Sequence, residues 1–406
     1  MIHSIGSENF VPFGKFEMNF PKVENKPDDL AEVHLFTGNN GTGKTRILAL
    51  LAAALGGSEA LAKRVTEGTE FHITGNVTGG REVLAPFLIN QNGAFYKGVD
   101  AGILAYLQHV PAFCYQGITY VTDSKIAVMS GISKPTRNQC LSFDRPSSHS
   151  EQLLQAIANL KIQVALDAVT PTLGEKPPSL LLATKLEKTL TEVTGAPFYF
   201  KIQAHPEAAL TVNWAGVNMR FECLPDGLRS IIGWLADAVV MMDAWVSGRD
   251  DISKTEAIIL LDDIECHLHP AWQRKVLPAF QRLFPKAQIF VTTHSPFIIS
   301  SLSYGWIHQF QKGDNGIIKI LPPANADDPI LEDFAGLKEW DDADTERLLL
   351  EFCSQMELAL RGDGNAKEQA MQLAEIICGQ NADLRRQMSQ NSGKKSIQPV
   401  ASVQKN

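Results

Sequence analysis

The sequence predicts an α/β fold built on a parallel or mixed sheet, and three segments carry this prediction. The run "AIILL" (257–261) is almost wholly apolar and is bounded by charged residues, as in a strand buried on both faces. A second such run is "QIFVTT" (288–293), and "PAWQRKVLPAFQRLF" (270–284) between them has the apolar spacing of a helix. Because the order is strand, helix, strand, we expect a crossover connection in a parallel sheet.

The composition limits the classes of protein to which the chain can belong. Its 406 residues have room for two or three domains, and hydrophobic and charged fractions of 44% and 20% exclude a disordered or fibrous protein. A formal net charge of -8 excludes nucleic-acid binding by bulk positive charge but leaves a local basic groove open. The six cysteines lack the short paired spacing of a zinc site or a disulfide framework, so we expect reduced thiols.

No segment has the features of a signal peptide or a membrane span. The first ten residues, "MIHSIGSENF", lack a basic region followed by an apolar one. The most apolar long stretch, "IIGWLADAVVMMDAW" (231–245), contains two aspartates and is too short to cross a bilayer. We therefore expect a cytoplasmic protein without membrane contact.

Strand-like and helical patterns alternate along the rest of the chain. Residues 1–36 alternate polar and apolar, and strand-like pieces return from about 69 to 125. Helical spacing begins at the capping-box pair Ser148 and Glu151 and returns at 179–194. Strands resume with "FYFKIQ" (198–203) and "ALTVNWAG" (209–216), and two amphipathic runs within 345–390 predict a helical hairpin.

The stretch "TGNNGTGKT" (37–45) has the GxxxxGK[ST] spacing of a phosphate-binding loop, between a predicted strand and a predicted helix. Its glycines let successive backbone N–H groups face the phosphates of ATP. Lys44 would reach the β and γ phosphates, and the Thr45 hydroxyl would bind Mg²⁺. This context disfavours a chance glycine-rich turn. The predicted nucleotide-binding residues of the loop are Gly38, Asn39, Asn40, Gly41, Thr42, Gly43, Lys44, Thr45 and Arg46.

A cluster of acidic residues, cysteine and histidine occurs in "ILLDDIECHLHP" (259–270). Alone, it could be a metal-hydrolase site, a nucleotide-hydrolysis motif or a coincidence at the end of a buried strand. A phosphate-binding loop needs a carboxylate at the end of a neighbouring buried strand to hold Mg²⁺. Asp262 is the first charged residue after the apolar run, which favours the nucleotide role.

Four motifs in order resemble those of ABC-type ATPases, the group that includes SMC proteins, RecF-like repair ATPases and OLD-family nucleases. "GNNGTGKT", "LPDGLRS" (224–230), "ILLDDIECHLHP" and "VTTHSP" (291–296) resemble the Walker A, signature, Walker B with D-loop, and H-loop motifs. Within this group the chain looks most like the ATPase subunits of anti-phage systems, such as PtuA of Septu and retron systems or AriA of PARIS. The resemblance covers about residues 1–310 and extends more weakly to about 390.

The resemblance implies a P-loop NTPase fold of the ABC-ATPase head type, with a helical insertion and a C-terminal helical hairpin. The implied division of the chain is an N-terminal lobe with Walker A (1–130), a helical insertion (131–195), a C-terminal lobe with the other three motifs (196–320), a helical extension (321–390) and a flexible tail (391–406).

The resemblance also implies the hydrolytic residues. Asp262 corresponds to the Walker B carboxylate that binds Mg²⁺, and Asp263 stands where the family has the glutamate that polarises the attacking water. Because the Asp263 side chain is one methylene shorter, we expect slow hydrolysis or a nucleotide-held switch. Glu265 could substitute as the catalytic carboxylate. His294 corresponds to the histidine that senses the γ-phosphate.

The remaining carried-over residues belong to less complete motifs. Gly227 retains the signature glycine that lets a helix N-terminus approach a γ-phosphate, whereas Pro225 stands where serine is common; Arg229 could compensate or be a surface arginine. Gln116 is a candidate Q-loop residue that contacts Mg²⁺ or water. His267 and His269 fall on the D-loop, where an interface or capping role is favoured over metal ligation.

ABC sites are shared between two subunits, so the resemblance implies at least a homodimer. The favoured hypothesis is that the chain is the ATPase subunit of an anti-phage complex and that it holds or licenses a separate effector nuclease. A phage-derived trigger would act on this complex, and a contact with DNA is possible. The alternatives are a RecF- or SMC-like repair ATPase acting on DNA directly, and a scaffold that holds nucleotide with little turnover. After His294 the sequence lacks the Toprim and HNH patterns of a nuclease.

Overall fold

The structure is a computed structural model, and the chain forms two compact units, Met1–Asp327 and Asp328–Asn406. It describes residues 1–57, 64–76, 82–90, 93–98, 100–116, 126, 140–141, 143, 147–169, 178–205, 207–246, 252–313, 316–325 and isolated positions between 351 and 373. Those isolated positions are helical. The predicted start of the helical extension at 321 is wrong, because residues 321–325 are described and include the short strand Ala324–Asn325, which pairs with the neighbouring strand of the central sheet. The other residues of the predicted extension and hairpin, and the predicted flexible tail, lie outside the described residues.

The described elements comprise strands, α-helices and two short 3₁₀ turns. The strands are β1 (Ile2–Phe10), β2 (Gly14–Asn19), β3 (Glu32–Gly38), β4 (Glu70–Asn76), β5 (Glu82–Asn90), β6 (Gly93–Tyr96), β7 (Ala112–Gln116), β8 (Phe198–Gln203), β9 (Ala209–Trp214), β10 (Val217–Arg220), β11 (Ala257–Asp262), β12 (Ala287–Thr292), β13 (Trp306–Lys312), β14 (Ile318–Ile320) and β15 (Ala324–Asn325). The helices are α1 (Lys44–Ala54), α2 (Ala101–His109), α3 (Ser147–Val169), α4 (Pro178–Thr194), α5 (Asp226–Val246), α6 (Pro270–Leu283) and α7 (Pro296–Ser300); the 3₁₀ turns are Phe221–Cys223 and Ile252–Lys254.

The central sheet has the strand order β14-β13-β3-β12-β11-β7, and β15 pairs with β13. Strands β13, β3, β12, β11 and β7 are parallel, whereas β14 and β15 pair with β13 in the antiparallel direction. All residues of β11 and β12 are buried, as their apolar sequences predict, and α6 connects them. The predicted α/β class with a mixed sheet is confirmed.

Two antiparallel sheets accompany the central one. The first has the order β2-β1-β4-β5-β6, and the second is the meander β10-β9-β8. The side-chain amide of Gln288 on β12 joins the first sheet to the central one, because it donates to the Ile2 carbonyl (2.8 Å) and accepts from the Ile2 N–H (2.9 Å). The aromatic core between these sheets includes Phe20, Phe36 and Phe290.

Helices α3 and α4, which fall within the predicted insertion, pack against each other and against α5, and α4 also packs against α6. The insertion helices are therefore joined to the helix of the signature motif and to the crossover helix. The wider boundaries of the insertion stay a prediction, because much of 117–146 lies outside the described residues.

Helix α2 interrupts the region 69–125, where the sequence patterns suggested strands only. Asp100 caps this helix, since its side chain accepts from the N–H groups of Gly102 (2.8 Å) and Ile103 (3.3 Å). Its buried residues, Ile103 and Leu107, are four positions apart, a helical signal too short to stand out among strand-like neighbours.

A polar cluster is buried inside the central sheet. His34 on β3 contacts Glu32 through Nε2 (3.1 Å to Oε1) and His308 on β13 through Nδ1 (3.2 Å to Nε2). Because Glu32 accepts, His34 carries its proton on Nε2 and accepts at Nδ1 from His308. Burial lowers the pKa of His34, and burial together with His34 lowers the pKa of His308 well below its usual value. Both imidazoles are therefore neutral at pH 7.

Candidate nucleotide-binding site

The phosphate-binding loop joins the end of β3 to the start of α1, as predicted. Gly41 (φ 79°) and Gly43 (φ 86°) adopt the left-handed conformation that glycine permits. A Cβ at Gly43 would lie 2.8 Å from the Phe13 ring, and one at Gly38 would lie 2.3 Å from the Phe310 carbonyl oxygen. The loop is thus packed on its inner side, while Asn39, Asn40 and Gly41 are exposed.

The Lys44 side chain folds back over the loop. Its Nζ donates to the carbonyl oxygens of Gly38 (2.9 Å) and Asn39 (3.2 Å), and the residue is buried. Burial lowers the pKa of Lys44, whereas the carboxylates of Asp263, Glu265 and Asp262 oppose this shift. The structure therefore brings the predicted lysine and all three predicted acidic residues into one electrostatic cluster.

Asp262 receives hydrogen bonds from the ends of three other elements. Its Oδ1 accepts from the hydroxyls of Thr45 (2.9 Å) and Thr292 (2.7 Å), and its Oδ2 accepts from Gln116 Nε2 (2.6 Å). Parallel strands β7, β12 and β11 end at the same edge of the sheet, and α1 begins there, which explains the convergence. Thr45 and Asp262 are 217 positions apart in the chain. Their contact is the one expected between a phosphate-binding loop and the carboxylate that follows a neighbouring buried strand.

The carboxyl group of Asp262 is 1% exposed, and its ionisation is perturbed. Burial raises the pKa of Asp262 to about 6, and neighbouring Asp263 adds to the rise. The hydroxyls of Thr292 and Thr45 and the Arg64 cation oppose it. Because ionising a buried carboxylate costs free energy, a cation bound next to Asp262 would stabilise its charged form.

The side-chain amide of Gln116 bridges two charged groups. Its Nε2 donates to Asp262, and its Oε1 accepts from Arg64 Nη2 (3.1 Å). Gln116 ends β7 directly opposite Asp262 in the parallel register. The sequence singled out Gln116 but not Arg64.

Arg46 is held by protein groups at the start of α1. Its Nη1 donates to the Val11 carbonyl (2.7 Å), its Nε donates to the Arg64 carbonyl (3.1 Å), and its guanidinium lies 5.6 Å from the Phe10 ring centroid. Arg46 thus ties the phosphate-binding loop to the β1–β2 turn, and its predicted nucleotide contact stays a prediction.

Asp263 lies in a left-handed turn immediately after β11. Its φ is 49°, which a residue with a Cβ rarely adopts, and its N–H donates to Thr292 Oγ1 (2.8 Å). The residue is partly exposed beside Lys44, whose pKa it raises. Asp263 therefore occupies the position next to Asp262 in which a water-polarising carboxylate is expected.

Both carboxylate oxygens of Glu265 bind the segment after β12. Oε2 accepts from the Thr293 hydroxyl (2.6 Å), and Oε1 accepts from the His294 N–H (2.6 Å). The Lys44 cation and the Gly38 backbone both influence the pKa of the His294 ring, which therefore lies beside the phosphate-binding loop. Burial and the Lys44 cation lower the pKa of His294, so the ring is neutral at pH 7.

The signature segment contacts the D-loop of the same chain. Gly227, in the first turn of α5, is buried, and a Cβ there would lie 2.4 Å from the His267 carbonyl oxygen and 3.4 Å from the Trp272 ring. Arg229 forms an ion pair with Asp226, and its side chain is 18% exposed, so it is not a solvated surface arginine. The small size of Gly227 thus has a packing reason inside the chain, and its nucleotide role stays a prediction.

The two D-loop histidines differ. His269 is the N-cap of α6, where its Nδ1 accepts from the Ala271 N–H (3.3 Å), and Pro270 occupies the first turn as predicted. His267 is exposed, with φ 62°. The capping role expected of this pair is thus seen at His269.

An independent metal-hydrolase centre finds no support in this region. Among the described residues, no three His, Cys, Asp or Glu side chains are arranged to hold a metal ion. Burial and the surrounding acidic residues raise the pKa of Cys266 to about 11, so its thiol stays protonated at pH 7. The oxygen donors of Thr45 and Asp262 instead fit Mg²⁺, which takes few protein ligands and completes its shell with water and phosphate.

Comparisons with known proteins agree with these motifs. Residues 176–300 match the family AAA_21, described as "AAA domain, putative AbiEii toxin, Type IV TA system". The chain is 28% identical over 140 residues to the Septu protein PtuA of Bacillus thuringiensis, covering 32% of this chain and 35% of that protein. It is 30% identical over 122 residues to the Retron Ec83 probable ATPase of Escherichia coli, covering 28% and 22%. The chain thus spans about a third or less of the length of these relatives.

Two solved structures resemble the chain at low identity. The SMC head bound to the C-winged helix domain of ScpA has a TM-score of 0.47 at 14% identity and covers 80% of this chain and 98% of that one. RecF bound to ATPγS has a TM-score of 0.41 at 13% identity and covers 79% and 98%.

In the part of the chain that the structure describes, no helix is long and apolar enough to span a membrane. The segment of this chain that matches AAA_21, residues 176–300, includes Asp262, whose carboxylate accepts from Thr45, and His294. Over residues 176–300 the chain is therefore similar to the AAA_21 family, and segments of it are similar in sequence to PtuA and to a retron ATPase.

Proposed function

We propose that this chain is the ATP-binding and ATP-hydrolysing subunit of a bacterial anti-phage defence complex and that it holds or licenses a separate effector nuclease. The observation that carries the ATPase part is the Asp262 carboxylate, which accepts hydrogen bonds from Thr45 of the phosphate-binding loop and from Gln116. The similarity to a Septu protein and to retron ATPases supports the defence context.

In this proposal the residues of the site divide the work. Lys44 leaves the Gly38 and Asn39 carbonyls to bind the β and γ phosphates, and the backbone N–H groups of the loop cradle them. Bound Mg²⁺ supplies positive charge that offsets the charge on the phosphates. Thr45 and Asp262 would hold that ion, because the Thr45 hydroxyl donates its proton to Asp262 and leaves its oxygen lone pairs available to a metal.

Asp263 accepts a proton from the attacking water or orients it. Its short side chain limits its reach, so hydrolysis is slow and the nucleotide-bound state is long-lived. His294, neutral at pH 7 and close to Lys44, senses the γ-phosphate. A slow ATPase of this kind suits a licensing switch, in which nucleotide occupancy sets the state of the complex.

The proposal includes a homodimer in which the signature segment of each subunit completes the nucleotide site of the other. It also includes a cytoplasmic location and the release of the effector by a phage-derived trigger. The exposed D-loop residue His267 and the exposed signature residues Pro225 and Asp226 are available for such an interface. Mass measurement of the complex purified from its native operon, with and without ATP, reports the stoichiometry and the partner together.

The experiment that tests the proposal is phage challenge of a host carrying the complete operon. Lys44→Ala abolishes protection, because the phosphates lose their cation, whereas Lys15→Ala at an exposed ion pair with Glu8 keeps it. Protection that survives Lys44→Ala at equal protein abundance refutes the mechanism. ATP turnover of the isolated chain that depends on added DNA and falls steeply with salt favours a DNA-repair ATPase instead.

A further inference from the structure

Thr292, the last residue of β12, lies in the "VTTHSP" segment, whose predicted role falls on His294. Thr292 is fully buried and lies at the end of a strand that runs between β3 and β11. It pairs with Phe36 in the register with β3, and the last register pair with β11 is Val291 opposite Leu261. This position brings the Thr292 side chain next to Asp262.

The hydroxyl of Thr292 uses both of its hydrogen-bonding functions on the two acidic residues. It donates its single proton to Asp262 Oδ1 (2.7 Å), and its oxygen accepts the N–H of Asp263 (2.8 Å). One buried group therefore sets both the orientation of the Asp262 carboxylate and the start of the turn at Asp263.

Each of these contacts bears on geometry that the site needs. Asp262 Oδ1 also accepts from the Thr45 hydroxyl. The hydroxyls of Thr45 on α1 and of Thr292 on β12 therefore both donate to the same carboxylate oxygen. The N–H that Thr292 holds belongs to the residue with φ 49°, a conformation that rarely persists unless neighbouring groups fix it.

We propose that Thr292 is a positioning residue for nucleotide hydrolysis, whose hydroxyl holds Asp262 ready for its metal ion and fixes the turn that presents Asp263. The inference rests on the proposed function of the site. Thr292 touches neither nucleotide nor water in this role and acts through Asp262 and Asp263. Groups that orient metal ligands in this way commonly change metal affinity or activity about 10- to 100-fold when removed.

The test uses the full chain with two substitutions at Thr292. Thr292→Val keeps the branched shape and removes the hydroxyl, and Thr292→Ser keeps the hydroxyl. Thr211→Val is the matched control, because Thr211 is a strand threonine on the separate β10-β9-β8 sheet whose hydroxyl donates to the Lys201 carbonyl. For each variant one measures kcat for ATP, the Mg²⁺ concentration giving half-maximal turnover, the Kd of a fluorescent ATP analogue in EDTA, and Tm.

The account expects Thr292→Val to lower kcat and to raise the half-maximal Mg²⁺ concentration, each about 10-fold or more. The metal-free Kd stays within about twofold, because the phosphate-binding loop is intact, and Thr292→Ser recovers most of the loss. A Thr292→Val protein that is folded and matches the wild type in kcat and Mg²⁺ dependence overturns the inference.

Lys44→Ala separates this result from failure of the proposed function. Turnover that is the same in the wild type and in Lys44→Ala refutes the proposed function. In that case the inference about Thr292 is tested by the rise in Tm that Mg²⁺ produces in the presence of a non-hydrolysable ATP analogue. An equal rise in Thr292→Val and in the wild type overturns the inference, and a smaller rise in Thr292→Val supports it.

Discussion

The backbone N–H of His294 donates a 2.6 Å hydrogen bond to the carboxylate of Glu265, so the D-loop and the H-loop are tied together within one subunit. The second oxygen of Glu265 accepts from Thr293 at 2.6 Å. A carboxylate with both oxygens engaged in this way is better placed to hold His294 than to take a proton from water.

Substitution of Glu265 therefore distinguishes positioning from proton transfer. We expect Glu265→Ala to lower kcat by about one to two orders of magnitude, the equivalent of a lost charge-assisted hydrogen bond of about 1.5–3 kcal/mol, because His294 is released. It should lower kcat much less than Asp262→Ala does. Phosphate release measured for both variants checks this, and turnover as low as that of Asp262→Ala would identify Glu265 as the catalytic base.

Asp263→Glu tests whether side-chain reach sets the hydrolysis rate. The added methylene extends the carboxylate toward the phosphates, and we expect kcat to rise several-fold with little change in ATP affinity. Asp263→Asn is the control, because it keeps the length and removes the base, and its kcat should fall. An unchanged or lower kcat in Asp263→Glu would show that the turn at φ 49°, rather than side-chain length, limits the reaction.

Gly227→Ala tests the contact between the signature helix and the D-loop. Alanine normally stabilises a helix relative to glycine by up to about 1 kcal/mol. Here its Cβ would lie 2.4 Å from the His267 carbonyl oxygen, so we expect a net loss of about 1–3 kcal/mol of unfolding free energy. Urea denaturation measures this loss, and a more stable protein would mean that the two segments separate without cost.

The buried histidines predict a loss of stability in acid. Burial lowers the folded-state pKa of His34 and His308, so as pH falls below about 6.5 the unfolded chain takes up protons before the folded one does. Stability is therefore fully present above this pH and falls below it, with each histidine contributing up to about 1.4 kcal/mol per pH unit.

The pH dependence is checked by unfolding between pH 7.5 and 5.5. His308→Phe keeps an aromatic ring among Phe20 and Phe36 and should make the dependence shallower. His109→Gln, at an exposed histidine on α2, should leave it unchanged. Equal slopes in the wild type and in His308→Phe would show that the buried cluster does not titrate on unfolding.

The α/β class and the strand, helix, strand unit of 257–293 could be predicted because local apolar patterns encode them. The convergence of Thr45, Asp262 and Gln116 could be predicted as well, since motif order and parallel strands place their chain positions at one edge of the sheet. These features depend on residue spacing within short segments and on the rule that the carboxyl ends of parallel strands meet at one edge of the sheet.

The contacts that the sequence did not indicate all join segments that are distant along the chain. Thr292 lay inside the "VTTHSP" segment without a role of its own, and Arg64 stood outside every motif. Nothing in the local sequence pairs Gly227 with the His267 carbonyl. Such contacts depend on how side chains of different elements pack together, and local patterns in one sequence do not reveal this packing.

The most direct test of the central claim is phosphate release from ATP and Mg²⁺ by the purified full chain, compared with that of Asp262→Ala. The account predicts slow but measurable release in the wild type and loss of release in Asp262→Ala, with ATP still bound by both proteins. Release that is equal in the two proteins, or wild-type protein that binds ATP and releases no phosphate, would contradict it.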